Sequence, residues 1–242
     1  QYSYSSQISK EHKIGAGIEG KYYEIFSQNK DIINKKEGQT DSLGNEIFEP
    51  GYPNKGTITE NGSYIEYTRN PYEISAYVQD KMEYDILIIN AGIRFDYFNS
   101  NASLPADLRN PRHNPLYPGA VVDPNDSTNY ILEMVKADPK FQVSPRLGVS
   151  FPITDQGIIR FSYGHFFKIP AFENLYTNPD FFVRPSNVSD YTGNPNLNAE
   201  KNVIYEIGLQ QVLFENFALN FSLYYRDIRN WLGMEIINTY EG

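Results

Sequence analysis

The chain has 242 residues, with 20 Tyr, 15 Phe, a single Trp and no Cys, which excludes a disulfide framework and a thiolate metal site. A net charge of −9 argues against nucleic-acid binding, which calls for a basic face. No run of about 18 apolar residues occurs, so helical membrane spans are excluded, but the alternating strands of a membrane β-barrel are not.

The opening QYSYSSQISKEHK lacks the apolar run of a signal peptide. A tilted strand needs about ten residues to cross a bilayer, and segments of that length with period-two alternation recur from here on. The first, around Tyr2 to Ile8, is weak. Next, Ile14, Ala16, Ile18 and Tyr22 oppose Gly15, Gly17, Glu19 and Lys21. Ile74, Ala76 and Val78 oppose Glu73, Ser75 and Gln79, and Leu87 to Tyr97 sets alternate apolar residues against Asn90, Gly92, Arg94 and Asp96. Val143, Leu147, Val149 and Phe151 oppose Gln142, Ser144, Arg146 and Gly148. From Gly157 to Phe167, Ile159, Phe161, Tyr163 and Phe167 oppose Arg160, Ser162 and Gly164. Val203 to Leu213 places Glu206, Gly208 and Gln210 on its polar face, and Phe217 to Tyr225 is followed by Arg226 on the polar face of the last strand. No stretch has helical period, so the fold class expected is all-β, with about eight antiparallel strands.

The polar faces carry Gly, Ser, Asn, Gln and isolated charges, as the lumen of a transmembrane β-barrel would; a soluble sandwich would show Lys, Glu and Thr to open water. Connections alternate between short turns, near Ser9–His12, Glu83–Asp85, Pro152–Gly157 and Phe214–Asn216, and long loops, about Ser27–Asn70, Asn99–Phe141 and Lys168–Asn202. Long structureless loops are unusual in a compact soluble domain. Short periplasmic turns and long extracellular loops are what an outer-membrane barrel requires. That orientation puts Tyr22, Tyr97, Phe167 and Tyr225 at the outer rim and Met82, Phe151 and Leu213 at the inner one. Phe166 and Phe167 are then expected in an interfacial aromatic girdle, with outward rings facing lipid and needing no core.

The stretch FSYGHFFKIPAFENLY, from Phe161, and GNPNLNAEKNVIYEIGLQ, from Gly193, resemble the C-terminal half of the barrel of TonB-dependent outer-membrane receptors. The matching residues are Pro170, Leu175, Tyr176, Gly193, Asn194, Pro195, Leu197, Glu200, Tyr205, Glu206 and Gly208. SPRLGVSFPI from Ser144 and the segment from Tyr72 to Phe98 look like other strand pairs of that family. Lys168 departs from the Arg or Gln found there. The resemblance implies a bacterial outer-membrane protein that takes up a scarce solute, such as a metal chelate, vitamin or glycan. Its energy would come from TonB acting on a plug. The family's plug domain and TonB box have no counterpart here, so residues 1–242 are expected to be an internal portion of a barrel of about 22 strands. A self-closing eight-strand barrel is the other possibility. A passive porin or surface-binding barrel without energy coupling is the rival function, and a soluble carbohydrate-binding sandwich a third.

No catalytic constellation, cofactor motif or metal site is expected. His12, His113 and His165 fall on separate elements, and DPNDS, Asp123 to Ser127, reads as turn chemistry more readily than as a calcium loop. Arg94, Arg146, Arg160, Glu206 and Arg226 are lumen-facing candidates, holding a plug, lining the substrate path or forming a mutual ladder of opposite charges. Phe172, Tyr176, Phe181, Phe182, Arg184 and Tyr191, on the third long loop, are the candidates for ligand contact, the alternative being that they pack against neighbouring loops to close the barrel mouth. Outer-membrane lipid and a small or oligomeric solute complete the expected partners.

Overall fold

One antiparallel sheet of eight strands carries the chain in the computed structural model, which describes residues 1–30, 33–40, 42–43, 46–51, 58–59, 62–111, 113–181, 191–214 and 217–240. The strands are β1 (Tyr2–Gln7), β2 (His12–Tyr22), β3 (Tyr72–Tyr84), β4 (Leu87–Asn99), β5 (Lys140–Thr154), β6 (Gly157–Lys168), β7 (Glu200–Leu213) and β8 (Phe217–Arg229). Each pairs with its neighbour in sequence, and β1 and β8 form the two edges. The sheet does not close on itself, so the self-closing eight-strand arrangement is not the one adopted.

Register decides which side chains share a face, because alternate residues point to opposite sides. Phe161 lies opposite Ile207, and Ile207 opposite Leu223. All three are well exposed, as are Ile74, Val78, Phe95 and Val143 of the same face. A continuous exposed apolar face is stable against hydrocarbon, not water. One step up, Tyr163, Tyr205 and Tyr225 line up across three strands, with ring centroids 4.9 and 6.2 Å apart. Among the described residues, no helix is long and apolar enough to cross a membrane.

The wall therefore has no core of its own. The buried apolar cluster is built from Phe98, Leu175 and Tyr176, with Ile25, Tyr67, Ala102, Phe167, Ile169, Phe172 and Leu197 packed against it. These residues come from all three long connections, so the core sits where the outer loops meet. Two expectations are corrected by it. Phe167 packs into this cluster and does not stand free in lipid. Phe166 points to the polar face, where the Arg146 guanidinium lies 4.8 Å from its ring centroid. Pairing with β5 stops at Gly164 and Arg146, but pairing with β7 runs on to Lys168 and Glu200, so alternation still sets Phe166 on the polar face; only the packing of Phe167 depends on the loops.

The long connections are also not structureless. The first continues the β2–β3 hairpin as a ribbon, Ile25–Lys30 pairing with Gly62–Arg69, and encloses a second ribbon of Ile33–Thr40 with Glu46–Gly51. The next contains two small ribbons, Ser103–Pro105 with Met134–Lys136 and Ala120–Asp123 with Asp126–Leu132. The third holds one short helix, α1 (Phe172–Tyr176). Pro170 stands before it, and Thr177 ends it by donating both its N–H and its hydroxyl to the Glu173 carbonyl at 3.0 and 2.6 Å.

Candidate functional site

Two regions carry the side chains that recognition would need: the polar face of the wall and the meeting point of the loops. On the wall, Arg94 lies opposite Ser144, Arg146 opposite Gly92 and Gly164, Arg160 opposite Gly208, Glu206 opposite Ser162 and Arg226 opposite Ile204. All five thus share one face, as the alternation predicts. Gln79, Asn90, Arg94, Arg146, Ser162 and Glu206 line a recess of about 540 Å³ there. Glycine matters at position 164. A Cβ added there would stand 3.2 Å from the Phe166 ring, so its absence lets that ring lie along the wall under Arg146.

The five charges do not form a mutual ladder. Arg94 donates to Asp96 at 2.7 Å and approaches Glu19 at 4.0 Å. Arg160 donates to the Gln210 side-chain carbonyl at 2.7 Å. Glu206 and Arg226 form no ion pair among the described residues. Near the outer end of the same face, the Ser144 and Gln142 side-chain oxygens are buried without hydrogen-bond partners. Just above β2, the Tyr23 hydroxyl donates to Glu73 at 2.5 Å. Its burial, and then the Glu73 carboxylate, push that hydroxyl up to about 12.

The third loop is locked to its neighbours. Tyr176 is only 1% exposed, and its hydroxyl donates to the Ser100 carbonyl in the second loop at 2.6 Å. Burial pushes this hydroxyl far above its ordinary range. Gly193 donates to the Thr177 carbonyl and Asn194 to the Asn174 carbonyl, at 2.7 and 2.8 Å. The Asn196 side chain accepts from the Asp138 N–H and the Lys140 ammonium, at 3.1 and 2.7 Å. Replacing Tyr176 with Phe should loosen the loop by about 1 kcal/mol, the usual net worth of one hydrogen bond. Faster proteolytic cutting between residues 177 and 193, with the strands still protected, would measure it.

The ligand-contact candidates divide accordingly. Phe181 is 5% exposed and holds a positive φ of 56°, a strained conformation for a bulky residue that its burial offsets. Phe172 is half-buried, edge-on to Tyr23 at 5.1 Å and stacked on Tyr176 at 6.2 Å. Tyr191 is exposed and donates to Asn174 at 3.3 Å. Phe182 and Arg184 lie outside the described residues. Among the described candidates, burial of Tyr176 and Phe181 leaves Tyr191, and part of Phe172, as aromatic surface open to a solute.

One constellation has no sequence signal at all. The segment after β8 returns to the second loop, where the Tyr240 hydroxyl donates to Asp107 at 2.8 Å and the Tyr240 ring stacks on Tyr117 at 4.8 Å. Arg109 binds the same Asp107 carboxylate through two nitrogens and lies 4.6 Å over the Tyr240 ring. Hydrogen bonds from Arg109, and then from Tyr240, hold the Asp107 carboxyl well below its ordinary value near 3.8. A carboxylate depressed in the fold stabilises it above the ordinary value, and that contribution is lost as pH falls through the depressed one. This clasp should therefore persist from neutral pH down to about 4 and open only in stronger acid. Trp231, the single tryptophan, lies on the clasped segment, so its fluorescence anisotropy should stay level to that point and then fall.

Asp123 and Asp126 accept backbone N–H groups two residues on, from Asn125 and Thr128, which is turn chemistry. The three histidines remain apart: His12 bonds Asp80 at 2.7 Å, His165 bonds the Tyr163 hydroxyl at 2.6 Å, and His113 sits in the second loop with φ 46°. Among the described residues, no group of three or more His, Asp or Glu side chains could hold a metal ion.

The family model described as "TonB dependent receptor-like, beta-barrel" matches residues 4–240. No curated protein matches the chain. Among solved structures, a mutant ferric enterobactin receptor from Pseudomonas aeruginosa in complex with enterobactin is 14% identical. The match covers 94% of this chain and 26% of that one, with a TM-score of 0.54. The copper transporter OprC is 11% identical over 92% of this chain and 29% of its own, with a TM-score of 0.52. The chain thus spans little more than a quarter of the structures it resembles, and at these identities the likeness concerns the fold.

Proposed function

Because the chain belongs to the TonB-dependent receptor-like β-barrel family, whose barrels lie in bacterial outer membranes, we propose that it forms part of the wall of an energy-coupled importer for a scarce solute. A metal chelate, vitamin or glycan is the class of cargo. The observation that carries this reading is the match over residues 4–240. The apolar outward face and the polar inward face agree with it. Solute capture falls to the outer loops, where Tyr191 and the open edge of Phe172 offer aromatic surface and the buried Tyr176 and Phe181 hold it rigid. Arg146, Arg160, Glu206 and Arg226 give the inner face charged groups without charged partners among the described residues, which suit a plug or a polar solute passing the wall.

The test is binding of the full-length protein, extracted from outer membranes, to the C-terminal domain of TonB in detergent. Binding that disappears when the segment preceding the barrel is deleted supports energy coupling. Absence of binding, together with stable ion conductance in planar bilayers, moves the protein to the passive pores.

A further inference from the structure

The outward face of β6, β7 and β8 changes chemistry in four steps. Phe161, Ile207 and Leu223 form an apolar row, and Tyr163, Tyr205 and Tyr225 the row above. His165, Val203 and Asp227 come next, and Lys201 and Arg229 last, beside a Phe167 whose ring the loop cluster takes up. Apolar, then tyrosine, then charged is the order expected across the boundary between hydrocarbon and headgroups. The final step places two cations directly opposite each other on neighbouring strands, Lys201 facing Arg229.

Like charges in that position repel, and nothing in the wall relieves this fully. Asp227 takes the Arg229 guanidinium through Nε and Nη2, at 2.9 and 2.7 Å on one carboxylate oxygen. The Arg229 side chain remains 69% exposed. Lys201 has no anionic partner among the described residues. The nearest carboxylate in sequence, Glu200, accepts from Asn202 at 2.6 Å on the opposite face of the sheet. A site with an excess of positive charge, two rows above a tyrosine ladder, lacks an anion at the depth of lipid phosphates.

We propose that Lys201 and Arg229 hold the phosphate of an outer-leaflet lipid, with the Tyr205 and Tyr225 rings beneath as the platform for its apolar part. An ammonium and a guanidinium together satisfy several phosphate oxygens through charge-assisted hydrogen bonds. Relieving the Lys201–Arg229 repulsion adds to the gain. The inference rests on the membrane-barrel reading, and its test separates the two.

Full-length receptor is extracted from outer membranes, and its retained lipid is weighed by native mass spectrometry. It is then exchanged into vesicles holding phosphorylated outer-leaflet glycolipid or the same glycolipid after phosphatase treatment. Preference for the phosphorylated lipid should be about tenfold in the wild type and should vanish in a Lys201→Gln, Arg229→Gln double variant, in line with loss of a charged hydrogen bond. Lys21→Gln, which alters a cation on the inward face, should keep the preference. Heat-modifiable mobility on gels shows that each variant is folded. Equal retention of both lipids by folded wild-type protein, or an unchanged preference in the double variant, overturns the proposal. So does full competition by millimolar inorganic phosphate, which would mark a site for free anions. Release of the wild-type protein from membranes by an alkaline carbonate wash would instead overturn the barrel reading beneath it.

Discussion

Arginine in place of Ile207 should prevent stable insertion of the barrel, whereas Ser162→Arg, one residue off in register and on the other face, should be tolerated. Ile207 lies between Phe161 and Leu223, at the middle of the outward apolar face, and its side chain is already exposed to whatever surrounds the wall. A charged side chain at the midplane on the lipid face costs roughly 2–4 kcal/mol. Ser162 lies opposite Glu206, so a new guanidinium there gains a carboxylate neighbour. The measurement is the fraction of each variant that shows heat-modifiable mobility in the outer-membrane fraction. Equal yields for the two variants would mean that the apolar face does not meet lipid.

Gly193→Ala should unlock the third loop from the other two. A Cβ at that position would stand 2.8 Å from the Leu175 carbonyl carbon and from the backbone nitrogens of Tyr176 and Thr177. All three are backbone atoms of α1 or its end, so none can swing aside as a side chain would. Overpacking of this kind costs roughly 1–3 kcal/mol. Separating the 193–194 segment from α1 also breaks the Gly193 to Thr177 and Asn194 to Asn174 hydrogen bonds and exposes Leu175 and Tyr176. Hydrogen exchange should rise throughout residues 171–181 while β6 and β7 stay protected. Unchanged exchange in α1 would show that the glycine is there for another reason.

Alternation along the strands was enough to place all eight and to divide their faces, because a side-chain period of two is a local property of extended backbone. That Arg94, Arg146, Arg160, Glu206 and Arg226 share one face was legible for the same reason. The loops were not. Whether Tyr176 faces a solute or a core depends on Ser100 and Phe98, which lie far off in sequence. The aromatic content of FENLY gives the same signal in either case. Phe166 was misplaced because the girdle argument set aside the alternation, which puts it on the polar face with Gly164, and Phe167 because loop residues distant in sequence pack against it. The matched motif GNPNL showed that the segment was significant without showing why, and the reason is the contact of Gly193 with the helix backbone. The Asp107, Arg109 and Tyr240 clasp joins residues whose local patterns are ordinary.

That clasp also bears on the order in which the molecule assembles. Every pair of strands in the sheet is joined by consecutive stretches of chain, so the wall can grow one hairpin after another with modest closure entropy at each step. The bond from Tyr240 to Asp107 closes a span of 133 residues, and its two ends meet only once four strands between them, β5 to β8, have taken their places. It should therefore form late, after the transition state for building the wall. Loss of the Tyr240 hydroxyl should leave the rate of assembly almost untouched and appear in the rate at which the outer loops come apart.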